Sequence, residues 1–242
     1  MAGQEAQELA GFISTLEAFQ EKTDFYTILF YRSAGSTNDV AKGLCLGGGN
    51  RENPSYCNVV AHTPSTVVIA DHQTGGRGRF RRRWFSPPGV NIYMSIVVRD
   101  EMAIALTTMS LINVVSSLSV IQGIRRCSGL EVLPKWPNDL YYRGRKIGGI
   151  LSESVSVAER VVSCITGIGI NVNMTHEQVP PSLQHKATSL LMATGSTLDR
   201  ARLICHILEA FQTLCQRTDH QGLVQEWSAL NELFAETHAA CR

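Results

Sequence analysis

Apolar positions first recur at helical spacing. Leu9, Phe12, Ile13 and Leu16 form one stripe and predict a helix over residues 4–20. Residues 25–31 are aromatic and β-branched, which predicts a strand. Ser36-Thr37-Asn38-Asp39 is a polar turn, with Ser36 or Thr37 placed to cap a short helix to Leu46. Residues 47–56 read as a flexible surface loop. A buried-type strand follows over 66–70, a turn at Ser86-Pro87-Pro88-Gly89, and an alternating strand over 91–99. Residues 103–123 form a long, largely apolar core helix. Residues 131–136 and 140–142 read as strands broken by Pro137-Asn138, with a tight hairpin turn at Arg143-Gly144. Residues 147–154 and 161–172 continue the sheet. Beyond Pro180-Pro181, residues 198–215 and 223–234 predict amphipathic helices, with Leu203, Ile207, Phe211 and Leu214 on one face. The expected fold class is α+β, a mixed or antiparallel sheet flanked by helices.

One segment breaks this pattern. Gly75-Gly76-Arg77-Gly78-Arg79-Phe80-Arg81-Arg82-Arg83-Trp84 suits neither a helix nor a strand interior. It predicts a loop whose backbone approaches a ligand closely. Its guanidinium forks match phosphate or carboxylate, and Trp84 can stack on a planar ring. The formal net charge is only +1 over 242 residues, so the basic run marks a local site and not a general nucleic-acid surface. A 44% apolar and 18% charged composition supports a sizeable core. The 7 cysteines are scattered without a CxxC pair, which favours reduced thiols in a cytosol-like compartment over a disulfide or zinc framework. The histidines show no metal-binding spacing, so no side-chain metal cluster is expected. No apolar run reaches about 18 residues and residues 1–8 lack a signal peptide's basic region, so a cytoplasmic protein without a membrane span is expected.

Four islands carry candidate chemistry. Ser36-Thr37-Asn38 can donate to and accept from a polar head group such as a urea, though taken alone it reads first as a plain helix cap. Asp71-His72-Gln73-Thr74 leads into the arginine-glycine loop, whose alternative reading is a solvated basic loop or an RNA contact. Lys135-Trp136-Pro137-Asn138-Asp139 faces Arg145-Lys146-Ile147-Gly148-Gly149 across a hairpin, which can bring Asp139 near Lys146. The bland alternative is an ordinary hairpin, but a proline there removes a ladder donor. Gly167-Ile168-Gly169-Ile170-Asn171-Val172-Asn173 suits a sheet floor beneath a ligand, with Asn171 able to read a purine edge. Glycine-rich strands also arise from bulges.

Taken in order, STN, QTGGRGRFRRRWFSPPGVNIYMS, KWPNDLYYRGRKIGGIL and GIGINVN closely resemble the catalytic domain of biotin protein ligases. This domain belongs to the biotin/lipoate ligase superfamily, with a class II synthetase-like fold. The resemblance spans residues 25–234. It implies an enzyme that joins biotin to ATP as biotinyl-5′-AMP, with Mg²⁺ on the triphosphate, and then transfers biotin to a carrier lysine. It further implies that Arg77 and Lys146 bridge the biotin carboxylate and the α-phosphate. Ser36, Thr37 and Gln73 would bond the ureido ring, with Asn38 shaping that wall. Gly76 and Gly78 would let the loop close over the ligand. Arg79 and Trp84 would hold the adenylate, with Trp84 beside adenine and Asn171 at its edge. Asp139 would orient or deprotonate the incoming lysine, or instead position Lys146 or a metal. Residues 75–83 would be mobile when empty and fold over the adenylate.

The implied partners are the biotin carboxyl carrier domains of biotin-dependent carboxylases. Residues 1–24 are expected to form a helical extension and residues 25–242 the catalytic domain. No DNA-binding domain is expected ahead of it. The family's small C-terminal β domain is expected to be absent or truncated, which leaves a homodimer open as a way to complete the site. The alternatives are a lipoate or octanoate ligase, which favours an RRxSGGG-like loop and lacks KWPND, and a non-catalytic biotin or adenylate sensor, which the intact Arg77, Asp139 and Lys146 oppose.

Overall fold

The computed structural model describes residues 2–47, 56–57, 65–99, 109–158 and 160–239. Among these, eight strands form one mixed sheet: β1 (Tyr26–Tyr31), β2 (Tyr56–Cys57), β3 (Ser65–Ala70), β4 (Ile92–Arg99), β5 (Leu133–Lys135), β6 (Asp139–Tyr142), β7 (Arg145–Val157) and β8 (Arg160–Ile170). The spatial order is β2-β1-β3-β4-β8-β7-β6-β5. β1 and β3 run parallel, and the other neighbours are antiparallel. The helices are α1 (Ala2–Gln20), α2 (Thr37–Cys45), α3 (Met109–Ser128), α4 (Leu190–Thr194), α5 (Arg200–Cys215) and α6 (His220–Ala239).

The period-2 alternation of the strands divides the core. On one face Ile28, Phe30, Val67, Ile69, Ile92, Met94, Ile96, Ile150, Ile168 and Ile170 join buried residues of α1, α3, α5 and α6 in one large cluster. On the other face Leu29, Tyr31, Val68, Ala70, Val97, Val155 and Ile165 form a smaller cluster with Ala34 and Ala41. Among the described residues α2 packs on that second face, and the face's glycine-bearing end holds the site.

Several boundaries differ from the sequence reading. The described part of the long helix starts at Met109, with 103–108 outside the described residues. It runs past Gly123 to Ser128, because no breaker occurs before the positive-φ Gly129. Of the loop expected at 47–56, positions 48–55 also lie outside the described residues. Tyr56 is corrected from loop to strand, since it pairs with Phe30 of β1. β5 stops at Lys135, one residue short of Trp136. Ser36 takes the N-cap position of α2, but its side chain makes no cap bond. The arginine-glycine loop contains one 3-10 turn, Arg79–Arg81, with Phe80 and Arg81 at positive φ. The short helix α4 was not anticipated. Ser189 caps it by accepting from the Met192 amide, and Gly195 ends it in the left-handed conformation at φ 76°.

Candidate functional site

One ladder row crosses the sheet and organises the site. Lys135, Asp139, Gly149, Gly169, Tyr93 and Ala70 are consecutive register partners on β5, β6, β7, β8, β4 and β3. Side chains on one row share one face. The two glycines at its centre leave a slot, and the Trp84 indole lies in it. A Cβ on Gly169 would stand 2.8 Å from the indole, and one on Gly149 would stand 3.3 Å from it. The Trp84 Nε1 is buried and has no hydrogen-bond partner among the described residues. Beside the slot, the Lys146 ammonium lies 5.2 Å from the Trp84 ring centroid. It donates to the Asp139 carboxylate at 2.6 Å. The hairpin thus brings Asp139 and Lys146 together as the sequence spacing suggested.

The segment after β8 fixes Lys146 from the side. The Lys146 amide donates to the Lys186 carbonyl at 2.8 Å, and the Thr188 amide donates to the Lys146 carbonyl at 2.9 Å. Asn171 is buried and donates from Nδ2 to the Thr188 carbonyl at 2.9 Å. Its amide therefore clamps this wall while the residue borders the cavity.

A second wall comes from the start of α2. Gln73 Oε1 accepts from the Thr37 amide at 2.9 Å and lies 3.3 Å from the Thr37 hydroxyl. Gln73 Nε2 donates to Ser86 Oγ at 3.2 Å, and Ser86 donates to the Trp84 carbonyl at 3.1 Å. This chain ties α2 to both ends of the arginine-glycine loop. Asn38 sits on Gly167, the row partner of Ser95 and Leu151. It donates to the Leu151 carbonyl at 3.2 Å and to Glu153 at 2.6 Å, and accepts from Ser95 at 2.6 Å. The buried Ser36 completes this wall. Just outside it, Asp71 pairs with Arg200 at 2.8 Å and accepts from the Gly89 amide at 3.0 Å, which anchors the end of β3.

The loop folds over the open side. Gly78 and Trp84 amides donate to the Arg82 and Gly76 carbonyls at 2.7 and 2.9 Å. Arg77 is held by a two-pronged ion pair to Asp39. This contact lowers the Asp39 carboxyl below its ordinary range and raises Arg77. Arg79 reaches Asn138 Oδ1 at 3.4 Å, which brings the loop to the KWPND turn.

A cavity of about 1190 Å³ is lined by Ser36, Thr37, Asn38, Gln73, Arg77, Gly78, Arg79, Trp84, Asp139, Lys146 and Asn171, together with the glycine floor. Gly76 alone of the expected site residues does not line it. Its bare Cα is required by packing instead, since a Cβ would stand 2.6 Å from Ser86 Oγ and 2.9 Å from the Trp84 carbonyl. The sequence reading missed Asp39, Ser86, Ser95 and Glu153, and gave Lys135 no role. Ser95 had a signal: it is the one serine inside the run Ile92–Val98, and so a buried polar group needing partners. Among the described residues there is no group of three or more His, Cys, Asp or Glu that could hold a metal ion. Among them, too, no helix is long and apolar enough to cross a membrane.

Similarity to known proteins agrees with this geometry. Residues 51–171, half of the chain, match the model of the biotin/lipoate A/B protein ligase family. The bifunctional ligase/repressor BirA of Bacillus subtilis is 42% identical over 147 residues, which is 61% of this chain and 45% of that protein. The biotin–[acetyl-CoA-carboxylase] ligase of Mycobacterium tuberculosis is 33% identical over 155 residues, 63% of this chain and 54% of that protein. The chain thus spans about half the length of these curated relatives. The solved structure of the Aquifex aeolicus biotin protein ligase with biotin and ATP matches with a TM-score of 0.62 at 27% identity, over 78% of this chain and 70% of that one. With its mixed sheet, glycine floor and paired Asp139 and Lys146, the chain belongs to the biotin/lipoate A/B protein ligase family.

Proposed function

We propose that this chain is an ATP-dependent biotin protein ligase acting on the lysine of biotin carboxyl carrier domains. The observation that carries the reading is convergence in one cavity. An amide and hydroxyl wall (Thr37, Gln73), a fixed ammonium (Lys146) and an arginine loop border the same glycine-floored slot. The wall offers donors and acceptors suited to a ureido group. Each unmatched partner of such a buried group costs about 1–3 kcal/mol, which gives selectivity over a ring without a urea. The cavity volume has room for more than one small ligand.

In the first step a biotin carboxylate oxygen bonds to the α-phosphorus of ATP, and pyrophosphate leaves with the electron pair of the broken P–O bond. The two reacting anions repel, so preorganised cations lower the barrier. Lys146 stands ready for this, held by Asp139 until a ligand carboxylate or phosphate competes for it. Arg77 exchanges its Asp39 partner for the ligand. In the second step the carrier amine attacks the acyl carbon, AMP leaves, and the nitrogen loses a proton. Asp139 is the carboxylate lining the cavity among the described residues, which suits it to orient that amine. Magnesium would arrive on the triphosphate; among the described cavity residues Asp139 is the one carboxylate that could meet it, and it is already engaged with Lys146. Arg79 and Trp84 suit the adenylate, with the indole moving off the glycine floor or stacking from it.

The test combines the purified chain, a carrier fragment, Mg-ATP and either biotin or lipoate, and reads the carrier's mass. A biotin-sized gain that needs ATP is expected. A gain with lipoate only, or none from a folded chain and a competent carrier, overturns the reading.

A further inference from the structure

Lys135 has no role in the steps above, yet its surroundings are specific. It occupies the outer end of the ladder row, across from Asp139 and two strands from the glycine floor. Its ammonium sits 5.1 Å from the Tyr141 ring centroid and 5.5 Å from that of Phe234, and all three residues line the cavity. No carboxylate pairs with it among the described residues. Two aromatic faces hold a cation without neutralising it, since the rings supply only quadrupole attraction. The result is a positioned full charge at the cavity wall, with three N–H donors free for an anion.

The location narrows what that anion is. Neighbouring strands lie about 4.8 Å apart, so Lys135 stands one spacing beyond the Asp139–Lys146 pair on the side away from the floor. If Lys146 meets the α-phosphate, the next group outward along the row is whatever departs from that phosphorus. A fixed ammonium also disfavours the approach of a carrier lysine and favours a polyanion.

We propose that Lys135 is a binding residue for the β- and γ-phosphates of ATP and for the departing pyrophosphate. This rests on the ligase reading above. As the biotin oxygen bonds to the α-phosphorus and the α–β bridging bond breaks, negative charge grows on the pyrophosphate oxygens. Lys135 stabilises that growing charge, a contribution needed in the first half-reaction and absent from the second.

The two half-reactions separate the alternatives. Lys135→Met keeps the side-chain stem and removes the charge. Biotin-dependent exchange of labelled pyrophosphate into ATP reports the first step, and transfer from purified biotinyl-5′-AMP to a carrier fragment reports the second. Lys135→Met is expected to raise the KM for pyrophosphate by about tenfold or more, the loss of one charge-assisted contact. Transfer from the preformed adenylate should proceed at the wild-type rate. Lys135→Arg should recover most of the exchange. Unchanged exchange overturns the proposal, and so does slowed transfer with exchange intact, which would assign Lys135 to the carrier. A proportionate loss of both steps, with a lowered melting temperature, also overturns it. Absence of exchange in the wild-type chain would instead refute the ligase reading itself.

Discussion

Gly167→Ala is a demanding test of the α2 wall. A methyl at position 167 would overlap Asn38 Oδ1 and stand 3.0 Å from its Cγ. Asn38 has little room to retreat, because Ser95 holds it from β4 and Leu151 and Glu153 hold it from β7, the strands on either side of Gly167. Overpacking of this kind costs about 1–3 kcal/mol. Displacing the amide forfeits up to three hydrogen bonds at about 0.5–1.5 kcal/mol each. Alanine recovers about 0.5–1 kcal/mol through its smaller backbone entropy loss in a strand. The net expectation is a loss of about 2–4 kcal/mol. For a chain of this size that lowers Tm by roughly 5–12 °C. Calorimetric melting measures the stability, and titration calorimetry with biotin measures the wall. Asn38→Ala supplies the control: combined with Gly167→Ala it should cost little more than Asn38→Ala alone, since the clash has gone. Additive costs, or a Gly167→Ala melt within 1 °C (about 0.3 kcal/mol) of wild type, would show that the amide does not rest on this glycine.

Two further outcomes follow from other contacts. Gly11→Ala lies on the exposed side of α1 with nothing within 4 Å of the added carbon, and it should stabilise the chain by about 1 kcal/mol in a urea titration. The Asp39–Arg77 pair predicts a pH-dependent term. Arg77 lowers the folded Asp39 value below its ordinary 3.8, so the stabilisation is present above that value and vanishes as pH falls through the lower folded one. The side chains are 54% and 34% exposed, so screening limits the term to about 1 kcal/mol or less. The melting difference between wild type and Asp39→Asn should therefore be small at pH 7, shrink further in high salt and disappear once the pH has fallen below the lowered Asp39 value.

What the sequence made legible was local or periodic. The Asp139–Lys146 pair is seven residues apart across a two-residue turn, and the turn itself implies the contact. Apolar β-branched and aromatic runs marked most of the strands, and β1 and β3 read as continuous runs because both of their faces are buried. The partners missed are those brought together by sheet order. Asp39 meets Arg77 across 38 positions, and Asn38 meets Glu153 across 115. No periodicity encodes such pairings, which depend on which strand lies beside which. The glycines of 167–169 suggested a floor for a ligand, and the structure adds that Trp84 rests there. The expected role of Gly76 shifted for a similar reason: its crowding comes from Ser86 and Trp84, ten and eight positions on, across the loop's own closure.

The unequal cover of the two sheet faces has a consequence for how the chain admits a ligand. The large cluster holds buried residues of α1, α3, α5 and α6, while α2 rests on the small one through Val40, Ala41 and Cys45, and the arginine-glycine loop touches the sheet through Trp84 on its glycines. Regions with few buried apolar contacts open at lower free energy than the whole fold. Hydrogen exchange is therefore expected to be faster at α2 and residues 75–84 than in α3 and α5, as it would be if the cover opened while the opposite layer stayed closed. Under the proposed function, that division of labour would let a bound intermediate be sealed and released without exposing the main core.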